Sequence, residues 1–250
     1  MRTLLILPVL SLSLVTACGG SKRTLGDAKA PTTSQQQAAT QLGSSVTQVS
    51  NTGTSPDQGP ALASSIYSIG GSATAGNLKQ GLDAGSKEPK DFSNPTCVTK
   101  SGTTTTYKDC MSANDSAKIN GSVTITGDIG TGLTVSYNKL TIGGFGGNGS
   151  TSDLVLDGSV TLTSTSIDGT LTTTLATSVA GTGGAGAKTV VTVDYASVTM
   201  VEGCISSGSI RVDYDIKIAT VGGIGVGAGN TGGSALFEWT GCGTYTVRNS

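Results

Sequence analysis

The second half of the chain alternates apolar and polar residues with a period of two. Successive side chains of a β-strand point to opposite faces, so this pattern predicts strands with one buried and one solvated face. The clearest run is Ile210, Val212, Tyr214, Ile216 and Ile218. Shorter runs are Ile119, Val123 and Ile125, then Val191, Val193 and Tyr195.

These runs predict an all-β, antiparallel domain over residues 96–250. Eight or more strands fit into this length, as a sandwich or as a strongly curled, barrel-like meander. Glycine-rich segments separate several strands and are expected to form loops at the sheet ends. They are Gly143–Gly149, Gly181–Ala187 and Gly222–Gly233.

A short sequence pattern recurs three times within the predicted domain: aliphatic, Asn or Asp, Gly, Ser or Thr, aliphatic, Thr. Asx-Gly pairs are strong signals for two-residue hairpin turns, because those turns need positive φ at both central positions. The same pairs also suit β-bulges inside longer strands. The three copies begin at Ile119, Leu156 and Ile167.

Composition narrows the range of functions. Glycine contributes 38 of the 250 residues, charged residues make up 12%, and the net charge is −1. A near-neutral chain has no electrostatic footprint for nucleic acid. Histidine is absent from the sequence, which removes the commonest general base and the usual zinc ligand. We therefore expect no cofactor and a function other than catalysis.

The N-terminus has the parts of a bacterial export signal. Arg2 precedes an apolar run from Leu4 to Val15, which is too short to cross a bilayer core of about 30 Å as a helix. Leu14-Val15-Thr16-Ala17-Cys18 resembles the lipobox of bacterial lipoproteins. The resemblance implies cleavage of a signal peptide of residues 1–17 and acylation of Cys18, while an ordinary signal peptide with a chance cysteine is the alternative.

The residue after the cysteine is Gly19, where an aspartate would resemble an inner-membrane retention signal. The resemblance therefore implies the outer membrane of a two-membrane cell, on a face that the sequence leaves open. The body of the chain is similar in composition to uncharacterised Gly/Thr-rich envelope lipoproteins of Gram-negative bacteria. That similarity assigns no functional residue.

The segment between the anchor and the β-domain has few large apolar residues. Residues 18–59 are rich in Ser, Thr, Gln and Gly, a composition that predicts a flexible tether with a mean reach of roughly 35 Å. Within residues 60–95, Leu62, Ile66 and Ile69 lie at helical spacing and predict a short helix, followed by irregular chain.

Four cysteines remain beside Cys18, and an even number in an exported chain predicts two disulfides. One pair flanks a predicted hairpin near Lys100. The other pair falls at the same end of an up-and-down meander. We expect Cys97–Cys110 and Cys204–Cys242, ahead of the crossed pairings and of a metal site.

Three carboxylates on predicted neighbouring strands are the best candidates for chemistry: Asp194, Asp213 and Asp215. Converging carboxylates could serve acid/base catalysis or bind a cation through oxygen. The other interpretation, which the pattern favours, is a solvated face on which the aspartates pair with Arg211 and Lys217.

Together these features predict a lipid-anchored envelope lipoprotein with a structural or binding role. Its partners are the membrane, through the anchor, and a protein, glycan or lipid ligand that the sequence does not identify. The alternatives are a carboxylate-dependent hydrolase of the envelope and a small outer-membrane β-barrel.

Overall fold

The structure is a computed structural model that forms one antiparallel sheet of ten strands in sequential order, β1 to β10. It describes residues 23–33, 36, 92–111, 117–128, 130–145, 150–179, 186–202, 204–219 and 230–250. The strands are β1 (Val98–Ser101), β2 (Thr104–Met111), β3 (Lys118–Thr126), β4 (Leu133–Phe145), β5 (Ser150–Leu162), β6 (Ser166–Val179), β7 (Gly186–Val201), β8 (Cys204–Ala219), β9 (Asn230–Gly241) and β10 (Thr244–Asn249).

The all-β antiparallel prediction is therefore confirmed, with a single meander in place of two packed sheets. Every strand pairs with its neighbours in the chain, and β1 and β10 are the two edges. The helix predicted near Leu62 lies outside the described residues. Just before β1, Pro95–Cys97 form a 3-10 turn, and Phe92 packs edge-on against Tyr107 with ring centroids 6.4 Å apart.

In an antiparallel meander, connections alternate between the two ends of the sheet. We call the end with the β7–β8 and β9–β10 turns the Cys204 end, and the opposite end the Ile218 end. The strands that flank the three glycine-rich segments place those connections at the Ile218 end. The central residues of these segments lie outside the described part of the chain.

One face of the sheet carries the hydrophobic core. Strands β3 to β6 contribute many of the fully buried side chains, including Ile119, Ile142, Leu154, Leu162 and Ile167, each with 0% exposure. The predicted alternation is borne out at Val191, Val193 and Tyr195, which are also buried.

The alternating run on β8 is buried only at its start. Ile210 is fully buried, but Ile218 at the far end is 45% exposed. The pairing of β8 with β9 reaches only as far as Lys217 opposite Asn230, so Ile218 has no β9 residue directly opposite it. Period-two alternation located the inward face correctly and overestimated how far the core extends along it.

The three Asx-Gly pairs lie inside strands, so the hairpin interpretation is wrong. The bulges lie on the neighbouring strands opposite these pairs, so the pairs are not themselves the bulged residues. Gly121 in β3, Gly158 in β5 and Gly169 in β6 have φ of +106°, +123° and +123°. A Cβ at Gly158 would collide with the carbonyl oxygen of Thr170 on the next strand. Glycine is therefore required for the close approach of the strands as well as for the backbone angle.

Each Asx side chain stabilises a bulge on a neighbouring strand. Three bulge residues, Asp109, Lys139 and Ser197, have positive φ. Their backbone N–H groups donate to Asn120 (2.8 Å), Asp157 (3.3 Å) and Asp168 (2.8 Å), respectively. Bulges bend a strand and increase its twist, so the repeat encodes curvature of the sheet.

An aromatic residue on a neighbouring strand lies opposite each of these three glycines, and another lies opposite Gly208 on β8. The pairs are Tyr107–Gly121, Tyr137–Gly158, Tyr195–Gly169 and Trp239–Gly208. Tyr137 and Tyr195 are almost fully buried. Since glycine presents no side chain, the ring of the neighbouring strand can occupy the space above it.

Candidate functional site

The chain enters the described structure at Arg23, five residues after Cys18. Cys18, the rest of the predicted signal and its cleavage position lie outside the described residues.

The segment after Cys18 pairs with the edge strand β10. The N–H of Lys29 donates to the carbonyl oxygen of Val247 (3.0 Å), and the N–H of Val247 donates back to Lys29 (3.1 Å). Gly26 donates to the carbonyl oxygen of Asn249 (2.9 Å). An edge strand offers unpaired backbone groups to any extended segment. The flexible-tether prediction is therefore wrong for residues 26–29, and the rest of that prediction beyond residue 36 lies outside the described chain.

Arg23 continues this contact onto β9 and β8. A Cβ on Gly232 would lie 2.5 Å from Nη2 of Arg23, so the guanidinium occupies the space above this glycine. The carbonyl oxygen of Arg23 accepts a long hydrogen bond from Nη2 of Arg211 (3.5 Å). Ser234, two residues along β9, is 1% exposed.

Asp213 is the centre of the polar contacts on this face. Arg211 donates to both of its carboxylate oxygens, at 2.8 and 3.0 Å, and the hydroxyl of Ser234 donates to it as well. Partial burial raises the pKa of Asp213, but the hydrogen bonds from Arg211 and Ser234, with the charges of Arg211 and Arg23, bring it below the ordinary value. The carboxylate is therefore held in its charged form.

The C-terminus joins the same contacts through Ser234. The N–H of Ser234 donates to Oγ of Ser250 (2.9 Å), and the N–H of Ser250 donates to the carbonyl oxygen of Ser234 (3.0 Å). Arg23, Asp213, Ser234 and Ser250 thus connect the N-terminal segment, β8, β9 and the end of β10. We call these four residues with Arg211 the Asp213 cluster.

The other two candidate carboxylates also have partners. Asp194 accepts a hydrogen bond from Thr170 (2.8 Å), and Lys217 lies 3.6 Å from Asp215. Among the residues that the structure describes, no group of three or more carboxylate or cysteine side chains is placed to hold a metal ion. Asp213 and Asp215 thus pair with Arg211 and Lys217 on the solvated face of β8, whereas the hydrogen bond to Asp194 comes from Thr170.

Each edge of the sheet carries one disulfide. The structure pairs Cys97 with Cys110 and Cys204 with Cys242, with Cα–Cα distances of 5.2 and 5.6 Å. The first joins the residue before β1 to β2. The second joins the start of β8 to the β9–β10 turn at the Cys204 end.

An aromatic group that the sequence reasoning missed packs against the β10 edge. Phe237 and Trp239 stack with ring centroids 5.9 Å apart, and Trp239 lies 5.5 Å from Tyr245 on β10. Phe237 and Trp239 are each 7% exposed, so the group contributes to packing. Their spacing along β9 is the signal that could have identified it.

Two exposed lysines mark the Ile218 end. Lys188 on β7 lies directly opposite Lys217 on β8, and both are exposed. Of the exposed large apolar residues, Met111 and Ile218 lie at this end, Ile218 on the opposite face of β8 from Lys217, whereas Val201, 51% exposed, lies at the Cys204 end.

Comparison of the chain with protein families, with curated proteins and with solved structures found no match. Within the described ranges, the chain forms no helix with the length and apolar character needed to cross a bilayer.

Proposed function

We propose that this protein is a lipid-anchored envelope lipoprotein whose β-domain has a structural or binding role and no catalytic one. The observation that carries the proposal is the run Leu14-Val15-Thr16-Ala17-Cys18 at the end of a short apolar segment. Acylation at Cys18 would supply the two or three chains that stable membrane attachment requires.

The chemistry of the described residues supports the non-catalytic half of the proposal. Each of the three candidate carboxylates has a hydrogen-bonding or ionic partner on its own face of the sheet. A catalytic base is expected to have a pKa near the working pH, whereas the pKa of Asp213 is lowered. A hydrolase acting through these residues has no support from this arrangement.

The core supports a rigid structural body. Side chains from successive strands, including Ile142, Leu154 and Ile167, are fully buried within one cluster. Two disulfides hold the edges. A body of this kind suits a spacer or an adhesion module, whose function depends on shape and position.

The test is a Cys18→Ser variant expressed in a bacterium with a lipoprotein-processing pathway, fed with a labelled fatty acid. We expect the parent to incorporate the label and to sediment with membranes, and the variant to do neither. A double Cys97→Ser/Cys110→Ser variant is the matched control and should keep the label. A Cys18→Ser variant that stays labelled and membrane-bound would overturn the proposal.

A further inference from the structure

The contact between the N-terminal segment and β10 limits how far Cys18 can lie from the sheet. Arg23 is the fifth residue after Cys18, and fully extended chain spans at most about 3.6 Å per residue, or roughly 18 Å over this distance. A free tether of some forty residues would instead allow a mean separation of about 35 Å with no preferred orientation.

The same contact fixes which end of the sheet lies near Cys18. Gly26 pairs with Asn249, and Lys29 pairs with Val247, so the segment runs antiparallel to β10. Going back toward Cys18, the chain therefore moves toward the end of β10, where Arg23 lies against Gly232 near the start of β9. This is the Ile218 end of the sheet.

The surface chemistry of this end fits a phospholipid headgroup layer. Lys188 and Lys217 are directly opposed on neighbouring strands, an arrangement that costs stability in an isolated sheet because like charges repel. Asp215 lies 3.6 Å from Lys217 and balances one of the two charges. Lipid phosphates could balance the other, and the exposed Ile218 side chain would lie at the apolar side of that layer.

We propose that the Ile218 end of the sheet faces the membrane at headgroup distance, and that the Cys204 end points away from it. This inference rests on the proposed lipidation of Cys18 and deepens it. The anchored protein would then stand on the membrane as an oriented body, with the Cys204–Cys242 disulfide at its outer tip.

The test places a single tryptophan at either end of the sheet. The chain has one tryptophan, so Trp239→Phe gives a chain without tryptophan fluorescence. Either Ile218→Trp or Val201→Trp is then added to this chain. Both positions are exposed, at 45% and 51%. They are separated by roughly 45 Å along the strands at about 3.3 Å per residue.

Lipidated variants are reconstituted in phosphatidylethanolamine/phosphatidylglycerol vesicles that contain a dansyl headgroup lipid. We expect energy transfer from Ile218→Trp to exceed that from Val201→Trp by at least about threefold, because of the separation of the two sites along the strands. Equal transfer would mean that the body is free or lies flat, and stronger transfer from Val201→Trp would mean the reverse orientation. Either result overturns the proposal.

A second pair of variants tests whether the segment on β10 sets the orientation. Lys29→Pro removes an N–H that bonds Val247, whereas Ala28→Pro changes the neighbouring residue, which contributes no backbone hydrogen bond to β10 in the described chain. We expect the first to reduce the difference between the two tryptophan sites and the second to preserve it. A difference that Lys29→Pro leaves unchanged would overturn this origin of the orientation.

The unsubstituted chain offers a readout that does not depend on the folding of any variant. Vesicle binding should slow acetylation of Lys188 and Lys217 and leave Lys100, at the Cys204 end, unchanged. Equal protection of all three lysines, or protection of Lys100 alone, would contradict the orientation. Failure of the parent chain to take up label or bind vesicles would instead contradict the proposed function itself.

Discussion

The two edges of the sheet are protected in different ways. At the first edge, β1 is four residues long and mostly exposed, and the Cys97–Cys110 disulfide holds the chain that enters it. At the other edge, the segment 26–29 covers β10. An uncovered edge strand can pair with other chains, and shortness or a covering segment each prevents this. The cover on β10 has a second consequence, because it is the chain that leads to Cys18.

Removal of the two disulfides should give the largest effect and should differ between the edges. The sequence separations are 38 residues for Cys204–Cys242 and 13 for Cys97–Cys110. Closing the longer loop restricts the unfolded chain more, so we expect losses of about 4 and about 3 kcal/mol in the free energy of unfolding.

Urea unfolding of the two double-serine variants measures this difference. A larger loss at the β1 edge would show that the short edge depends more on its disulfide than loop length predicts. That result would mean that loop length alone does not explain the different contributions of the two disulfides to stability.

The Asp213 cluster should give the next effect. Ser234→Ala removes a hydrogen bond to a charged carboxylate at a residue that is 1% exposed. We expect a loss of about 1–2 kcal/mol in the free energy of unfolding, since hydrogen bonds to charged groups contribute about 1.5–3 kcal/mol and Asp213 is partly hydrated. The measurement is urea unfolding at pH 7.

Ser207→Ala, at an exposed position of the same pair of strands, is the matched control and should change stability by less than about 0.5 kcal/mol. Equal effects of the two substitutions would show that the cluster adds nothing to the β10 edge.

Release of the cover on β10 should cost less. Lys29→Pro removes one hydrogen bond to Val247 at the surface, so we expect a loss of about 1 kcal/mol. We also expect concentration-dependent association, because the edge becomes available for pairing. Light scattering and urea unfolding measure the two effects, and Ala28→Pro should show neither. A Lys29→Pro chain that stays monomeric and fully stable would place the protection of this edge elsewhere.

Lowering the pH should have the smallest effect on the free energy of unfolding, and this effect should act through Asp213. The folded pKa of Asp213 is lowered, so its contribution to stability is present above the unfolded pKa of about 4 and is lost as pH falls through the folded pKa. Asp213→Asn should therefore flatten the acid limb of the stability profile below about pH 4. Unfolding by urea at a series of pH values measures this slope, and an unchanged slope would contradict the assigned partners of Asp213.

Much of the fold could be predicted from the sequence because its signals are local. Alternation at Val191, Val193 and Tyr195 identified both a strand and its buried face. The cysteine pairing followed from the turns of a meander. The Asx-Gly pairs gave an ambiguous signal, since both hairpin turns and bulges need positive φ. Partners farther away in sequence, such as Ser197 for Asp168, decided between the two.

The candidate site was harder to predict for the same reason. The pairing of Lys29 with Val247 uses backbone atoms, which composition cannot report. Arg23 meets Gly232 across most of the chain length, and no local pattern links the two. Arg211 and Asp213 are the exception, because the alternation in the sequence already places both side chains on the solvated face of β8.

Hydrogen exchange at the Val247 amide tests the central claim most directly, because that N–H bonds the carbonyl oxygen of Lys29 at 3.1 Å. In the intact chain we expect this amide to be protected and to remain protected in Ala28→Pro. In Lys29→Pro it should exchange faster, because the accepting carbonyl stays but the N–H that bonds the Val247 carbonyl oxygen is lost. Exchange that is fast in the intact chain would show that the segment after Cys18 does not cover β10.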